Sequence, residues 1–226
     1  MRQLLVVALL TTIISCVDNK RITESIETDS LTIEQIDSVL NKFQFEYENP
    51  IILDSSDYLL IPISTELFKS RKSYSKDGYY TDEFPRYWNV LFYNVNNGDV
   101  NLLTEDKFRI SEINAKKERG YQDNRLNTLP NKILYIIGDR DYNKDGKLDY
   151  SDPNFLFISE QDGSNLLRLS PPNENLVSYE VIPNSYQIII NTLRDTNQDS
   201  IFNRIDQSMW YEVELINNEW VTQEII

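Results

Sequence analysis

Short runs of apolar and β-branched residues, each bounded by turn residues, recur along this chain in a fixed order. Their length and flanking residues are those of strands. YLLIPI at 58–63 is followed by a long polar stretch, VLFY at 90–93, the turn NNGD at 96–99 and VNLL at 100–103. A second set consists of ILYII at 133–137, a polar loop, FLFI at 155–158, the turn QDGS at 161–164 and LLRL at 166–169. In the third, YQIIIN at 186–191 precedes another polar loop, WYEVEL at 210–215, the turn INNE at 216–219 and VTQEI at 221–225. Each set thus reads as a strand, a variable loop and a hairpin. Repetition of a multi-strand unit predicts a mainly β fold of propeller-like antiparallel repeats, about three blade-like units, with an antiparallel β-sandwich as the alternative. Helical spacing occurs once, at residues 32–41, where Ile33, Ile36, Val39 and Leu40 share a face and Thr32 with Gln35 makes an N-terminal cap; one short N-terminal helix is expected there. Residues 114–129, with Lys116, Lys117, Glu118 and Arg119, read as a solvated loop.

The variable loops of the second and third sets carry the clearest chemistry. Asp141, Asn143, Asp145, Asp149 and Asp152 stand at positions 1, 3, 5, 9 and 12 of a twelve-residue loop, and Asp195, Asn197, Asp199, Asn203 and Asp206 repeat the spacing. Alternate residues of a tight turn aim oxygens at one point, and the carbonyl of position 7, Lys147 or Ile201, completes the set. Ca²⁺, a hard cation taking six to eight oxygens, is the cofactor such ligands suit. These stretches resemble EF-hand-type, dockerin-like calcium loops. Position 6 requires a positive φ; Gly146 adopts it freely, whereas Ser200 must accept an uncommon conformation, so the second loop is expected to bind more weakly. Leu148 and Phe202, at position 8, are expected beneath the ion. Aspartate at position 12, in place of a longer glutamate, predicts dissociation constants from about micromolar to about millimolar. Strand-like runs flank both loops, so bound ions would staple strand connections and would not open a helix pair.

A second resemblance lies in the segment 155–171, FLFISEQDGSNLLRLSP, which is similar to the strand, D-G-x-N turn and L-T-P segment of TolB-type propeller repeats. The run YEVIPNSYQIII at 179–190 falls where that family has its W-S-P-D-G-x-x-I-x-F segment; Pro183 is kept and the Asp-Gly pair is not. Three blades are fewer than the four to eight that usually close a ring, so the resemblance implies an open, propeller-like β assembly.

The N-terminus supplies an address. Arg2, an apolar run at 4–14 and Ser15 before Cys16 form a secretory signal over residues 1–15, too short to span a bilayer. The tail Ile13, Ile14, Ser15, Cys16 resembles the lipobox of bacterial lipoproteins, which implies lipidation of Cys16 and membrane attachment in the bacterial cell envelope, at the outer membrane on its periplasmic or surface face. Residues 16–30 read as a polar tether and 31–226 as a single β-rich calcium-binding domain. Cys16 is the sole cysteine, so no disulfide is available within the chain and calcium would take that stabilising role.

With 36 acidic against 22 basic residues and no histidine, the net charge is −14. Such a chain is not expected to bind nucleic acid through phosphates. Without histidine, a catalytic thiol, a nucleophile elbow or a phosphate loop, no enzymatic activity is expected. The functional expectation is a non-catalytic binding or scaffold domain with a protein or glycan partner. The alternative is a carbohydrate-binding or glycan-processing envelope protein using carboxylates and the aromatics Tyr79, Tyr80, Tyr87 and Trp88.

Overall fold

Residues in the left-handed region cut this chain into strands. Gly98 (φ 80°) turns the first hairpin and Gly163 (φ 82°) the second, while Asn217 and Asn218 (φ 51° and 66°) make the two-residue turn of the third. The computed structural model describes residues 45–65, 73–74, 80–81, 87–115 and 128–226. The signal, Cys16, the tether, the helix expected at 32–41 and Tyr79 lie outside the described residues.

Among the described residues the fold is mainly β, built of three antiparallel sheets and a small ribbon. In the first sheet β1 (Phe45–Tyr47), β3 (Tyr58–Thr65), β6 (Asn89–Asn94) and β7 (Val100–Leu102) lie side by side, with β2 (Ile51–Ile52) also on β3. The ribbon β4 (Ser73–Tyr74) and β5 (Tyr80–Thr81) lies between β3 and β6 in sequence. The middle sheet runs in chain order through β8 (Arg109–Ala115), β9 (Lys132–Gly138), β10 (Phe155–Glu160) and β11 (Leu167–Arg168). The third follows as β12 (Glu174–Val181), β13 (Gln187–Arg194), β14 (Gln207–Ile216) and β15 (Glu219–Glu224). None of these sheets closes on itself. The three strand-loop-hairpin sets correspond to β3-β6-β7, β9-β10-β11 and β13-β14-β15. Each sheet also gains strand pairing ahead of its set, from β1 and β2, β8 or β12. Strand β8 takes in Asn114 and a buried Ala115, and Leu129 is 1 % exposed, so both ends of the stretch read as a solvated loop belong to the packed fold.

Two apolar clusters stack the sheets. Leu60, Val90 and Phe92 of the first sheet pack with Ile110, Ile133, Tyr135, Ile137, Phe155 and Phe157 of the middle one. On the opposite face, Leu134, Leu156 and Ile158 pack with Leu176, Ile188, Ile190, Met209, Tyr211 and Val213 of the third. The middle sheet is therefore covered on both sides, and all of Phe155 to Ser159 is buried. This explains why its sequence runs are continuously apolar and not alternating. Burial contributes about 1.5–3 kcal/mol for each large aliphatic or aromatic side chain. Contact between sheets is close enough at Gly163 that a Cβ there would stand 2.4 Å from a Phe92 ring carbon. Between the middle and third sheets, the Tyr179 hydroxyl donates to Glu112 Oε1 (2.9 Å) and accepts from Asn114 Nδ2 (2.8 Å).

The two outer faces differ. In the first sheet the cross-strand rows Ile52–Leu59–Tyr93–Val100 and Ile61–Leu91–Leu102 point away from the core. In the third sheet the corresponding rows are Glu180–Ile189–Glu212–Gln223 and Gln187–Glu214–Val221. One outer face is apolar and the other is acidic and polar.

Candidate metal centre

Both aspartate loops sit at the same place in their sheets, closing the central strand pair. The first links β9 to β10, and the second links β13 to β14 directly, since Asp195 follows Arg194 and Asp206 precedes Gln207. The residues pointing to calcium are thereby gathered in two turns on adjacent sheets.

The turns are built alike. Asp141 Oδ2 accepts from the Gly146 N–H (2.8 Å), as Asp195 Oδ2 does from Ser200 (2.9 Å). Asn143 and Asn197 accept from the N–H groups of Asp145 and Asp199 (2.9 and 3.2 Å). In turn Asp145 and Asp199 accept from Lys147 and Ile201 (2.9 and 2.8 Å). Position 12 closes each loop. Asp152 accepts from Tyr142 (2.8 Å) and Asp149 (3.0 Å), and Asp206 accepts from Thr196 (3.2 Å) and Asn203 (2.8 Å). Backbone conformation repeats as well: Lys144 and Gln198 both have φ 61°, and position 6 has φ 85° at Gly146 and 62° at Ser200. Ser200 thus occupies the left-handed conformation that its place in the loop demanded, a region that strains a residue bearing a Cβ.

Among the described residues, no three His, Cys, Asp or Glu side chains form a ready ligating cluster, because these carboxylates are turned on to backbone N–H groups. The donor set nevertheless suits calcium. It mixes carboxylate, amide and carbonyl oxygens, and a carboxylate oxygen that accepts one N–H keeps a second lone pair. Asp152 is 2 % exposed and Asp206 8 %, and among the described residues neither forms an ion pair. A buried carboxylate held only by N–H groups is under-compensated for charge. Burial, opposed by the N–H groups of Asp149, Tyr142 and Asn143 and reinforced by the charge of Asp141, raises the Asp152 carboxyl above the ordinary value of 3.8. The loops also differ: the side-chain amide of Asn203 donates to the Ile201 carbonyl (3.2 Å), drawing on the position 7 oxygen of the second loop.

Neighbouring side chains fix the turns. Arg109, 2 % exposed, donates from Nη2 to Asn154 Oδ1 (3.1 Å) and to the Asp152 carbonyl (3.4 Å), with its guanidinium 5.2 Å from the Tyr150 ring centre. Beside the second loop, Arg194 and Tyr211 both donate to buried Glu174 Oε1 (2.6 and 2.8 Å). Burial and then the Glu174 hydrogen bond push the Tyr211 hydroxyl up to about 12. Arg109 carried no signal in the sequence, because the strand that bears it was not recognised there.

The loops touch each other. The Tyr142 ring at position 2 of the first lies 5.4 Å, centre to centre, from Phe202 at position 8 of the second. Burial and then the charge of Asp195 raise the Tyr142 hydroxyl above its ordinary value, with Arg140 opposing. Phe202 and Leu148, at position 8 of their loops, are both half-buried. A cleft of about 350 Å³ runs between the loops, lined by Asn143, Tyr150, Asp152, Asn175 and Phe202.

The aromatic set is less coherent. Tyr80 lies in β5 opposite Tyr74, and Tyr87 forms an isolated bridge with Ile110 and is half-buried. Trp88 is 8 % exposed, so its ring is packed inward and is not offered as a stacking platform. Comparisons of the chain with protein-family models, curated proteins and solved structures found no match.

Proposed function

We propose that this chain is an exported bacterial protein anchored through lipid on Cys16, whose non-catalytic β domain binds calcium at the loops 141–152 and 195–206. The ions staple the central strand pairs of the middle and third sheets within a propeller-like stack of three blade-like units, and the domain serves as a binding or scaffold module of the cell envelope. The observation that carries the calcium reading is the repetition of one hydrogen-bond and φ pattern in two loops whose acidic and amide residues share the spacing of a calcium loop. The buried carboxylates at position 12 support it, since a divalent cation would compensate a charge that N–H groups alone hold. The blade-like reading is supported by sheets that follow chain order and stack through two separate clusters. The anchor and the address rest on the N-terminal sequence, which lies outside the described residues. The inward packing of Trp88 leaves the glycan-stacking alternative without support from that residue.

A ligand that binds only the folded state stabilises it by about 2.7 kcal/mol when present at about 100 times its dissociation constant. Metal-stripped protein titrated with Ca²⁺ in a calorimeter is expected to bind two ions with unequal affinity, the first loop being the tighter. The Asp141→Ala/Asp145→Ala variant should lose the tighter site, together with most of the calcium-dependent rise in melting temperature. A flat titration at millimolar calcium, with no residual metal in the stripped protein, overturns the reading.

A further inference from the structure

We propose that the hollow beside Asp139 binds a small organic anion with one carboxylate and an apolar body. The inference does not depend on calcium. The hollow, of about 810 Å³, opens where the segment before β8 meets the ends of β9 and β11, and Phe108, Asp139, Arg140, Phe157 and Arg168 line it. Asp139 and Arg140 follow β9 directly. Arg168 stands opposite Phe157 across the β10–β11 pair, on the face turned to the first sheet.

Two guanidinium groups share one carboxylate there. Asp139 Oδ1 accepts from Arg140 Nε (2.8 Å), and Asp139 Oδ2 accepts from Arg140 Nη2 and Arg168 Nη1 (both 3.1 Å). Beside the second loop the ratio is reversed, since Arg194 alone pairs with both Glu174 and Glu224 (2.6 and 2.9 Å). The pair is held in place before any ligand arrives: both guanidinium carbons also lie over the buried Phe155 ring, 5.4 and 5.3 Å from its centre. The Arg140 and Arg168 side chains are 41 % and 28 % exposed, and their bonds to Asp139 leave Arg140 Nη1 and Arg168 Nε and Nη2 with N–H groups to donate. A carboxylate matches such forked donors.

The neighbours narrow the ligand. Phe108 and Phe157, ring centres 5.8 Å apart, supply an apolar part of the lining on which a hydrocarbon body can rest. Lys107 adds a further cation to the lining. Glu105 and Asp106 line the hollow as well, are exposed, and among the described residues pair with neither arginine. Their charges repel a ligand bearing several negative groups, which selects a monocarboxylate over a polyphosphate or a strongly acidic peptide.

The probe is phenylacetate, titrated into the purified full chain and followed by saturation-transfer difference NMR. Saturable binding is expected, and Arg168→Gln should weaken it about tenfold through loss of a charge-assisted hydrogen bond. Phenylacetamide, of the same shape without the charge, should bind at least about tenfold more weakly than phenylacetate. No saturation at ~10 mM probe, equal binding of the amide, or parent-like affinity in the variant overturns the proposal. Should Arg168→Gln lose the β signature in circular dichroism, Arg140→Gln, at the more exposed of the two arginines, tests the same contact and is judged by the same outcomes.

Discussion

Ser200 shows how one residue grades a loop. Its φ of 62° lies in the same left-handed region as the 85° of Gly146 at that place in the first loop, and a residue with a Cβ held there costs about 1–2 kcal/mol. Ser200→Gly removes the strain but adds freedom to the unfolded chain, so a net gain of about 0.5–1 kcal/mol is expected. Urea unfolding in chelator and in calcium measures it; a variant no more stable than the parent in either condition contradicts the assignment. The positive φ at position 6 was legible from sequence because the loop spacing dictates it. The donation from Asn203 to Ile201 was not, because it depends on a rotamer and not on spacing.

At the scale of elements, the sequence was most informative where turn chemistry punctuates it. Gly98, Gly163 and the Asn217–Asn218 pair marked the hairpins, and all three were located. Strands β8 and β12 were not located as sheet members because their patterns are mixed. Strand β8 carries Arg109, Glu112 and Asn114, whose polar ends are taken up by Asp152 and Asn154 at the end of the first aspartate loop and by Tyr179. Continuous apolar runs in β9 and β10 contained the sign that their sheet is covered twice, but periodicity alone does not separate that case from a buried helix. The contact of Tyr142 with Phe202 was also beyond sequence, since it joins residues of neighbouring sheets. It predicts coupled loops. Phe202→Ala should leave the number of calcium ions bound unchanged, yet weaken the first loop as well as the second, by a few-fold in calorimetric titration. An unaltered first-loop affinity shows that the loops act separately.

For the molecule as a whole, acidity and layering act together. A chain with net charge −14 repels itself, and the calcium proposed for loops 141–152 and 195–206 would relieve part of that repulsion. The middle sheet has another consequence. Having no solvent face of its own, it cannot outlast either neighbour, because detaching one layer would bare an entire wall of isoleucine, leucine and phenylalanine to water. Heating should therefore give a single calorimetric peak with van't Hoff and calorimetric enthalpies in agreement, whether or not calcium is present. Two resolved peaks would mean that the layers melt independently. If they cannot, any pull applied at β1 is borne by all three layers at once, and a domain so constructed resists being peeled apart strand by strand.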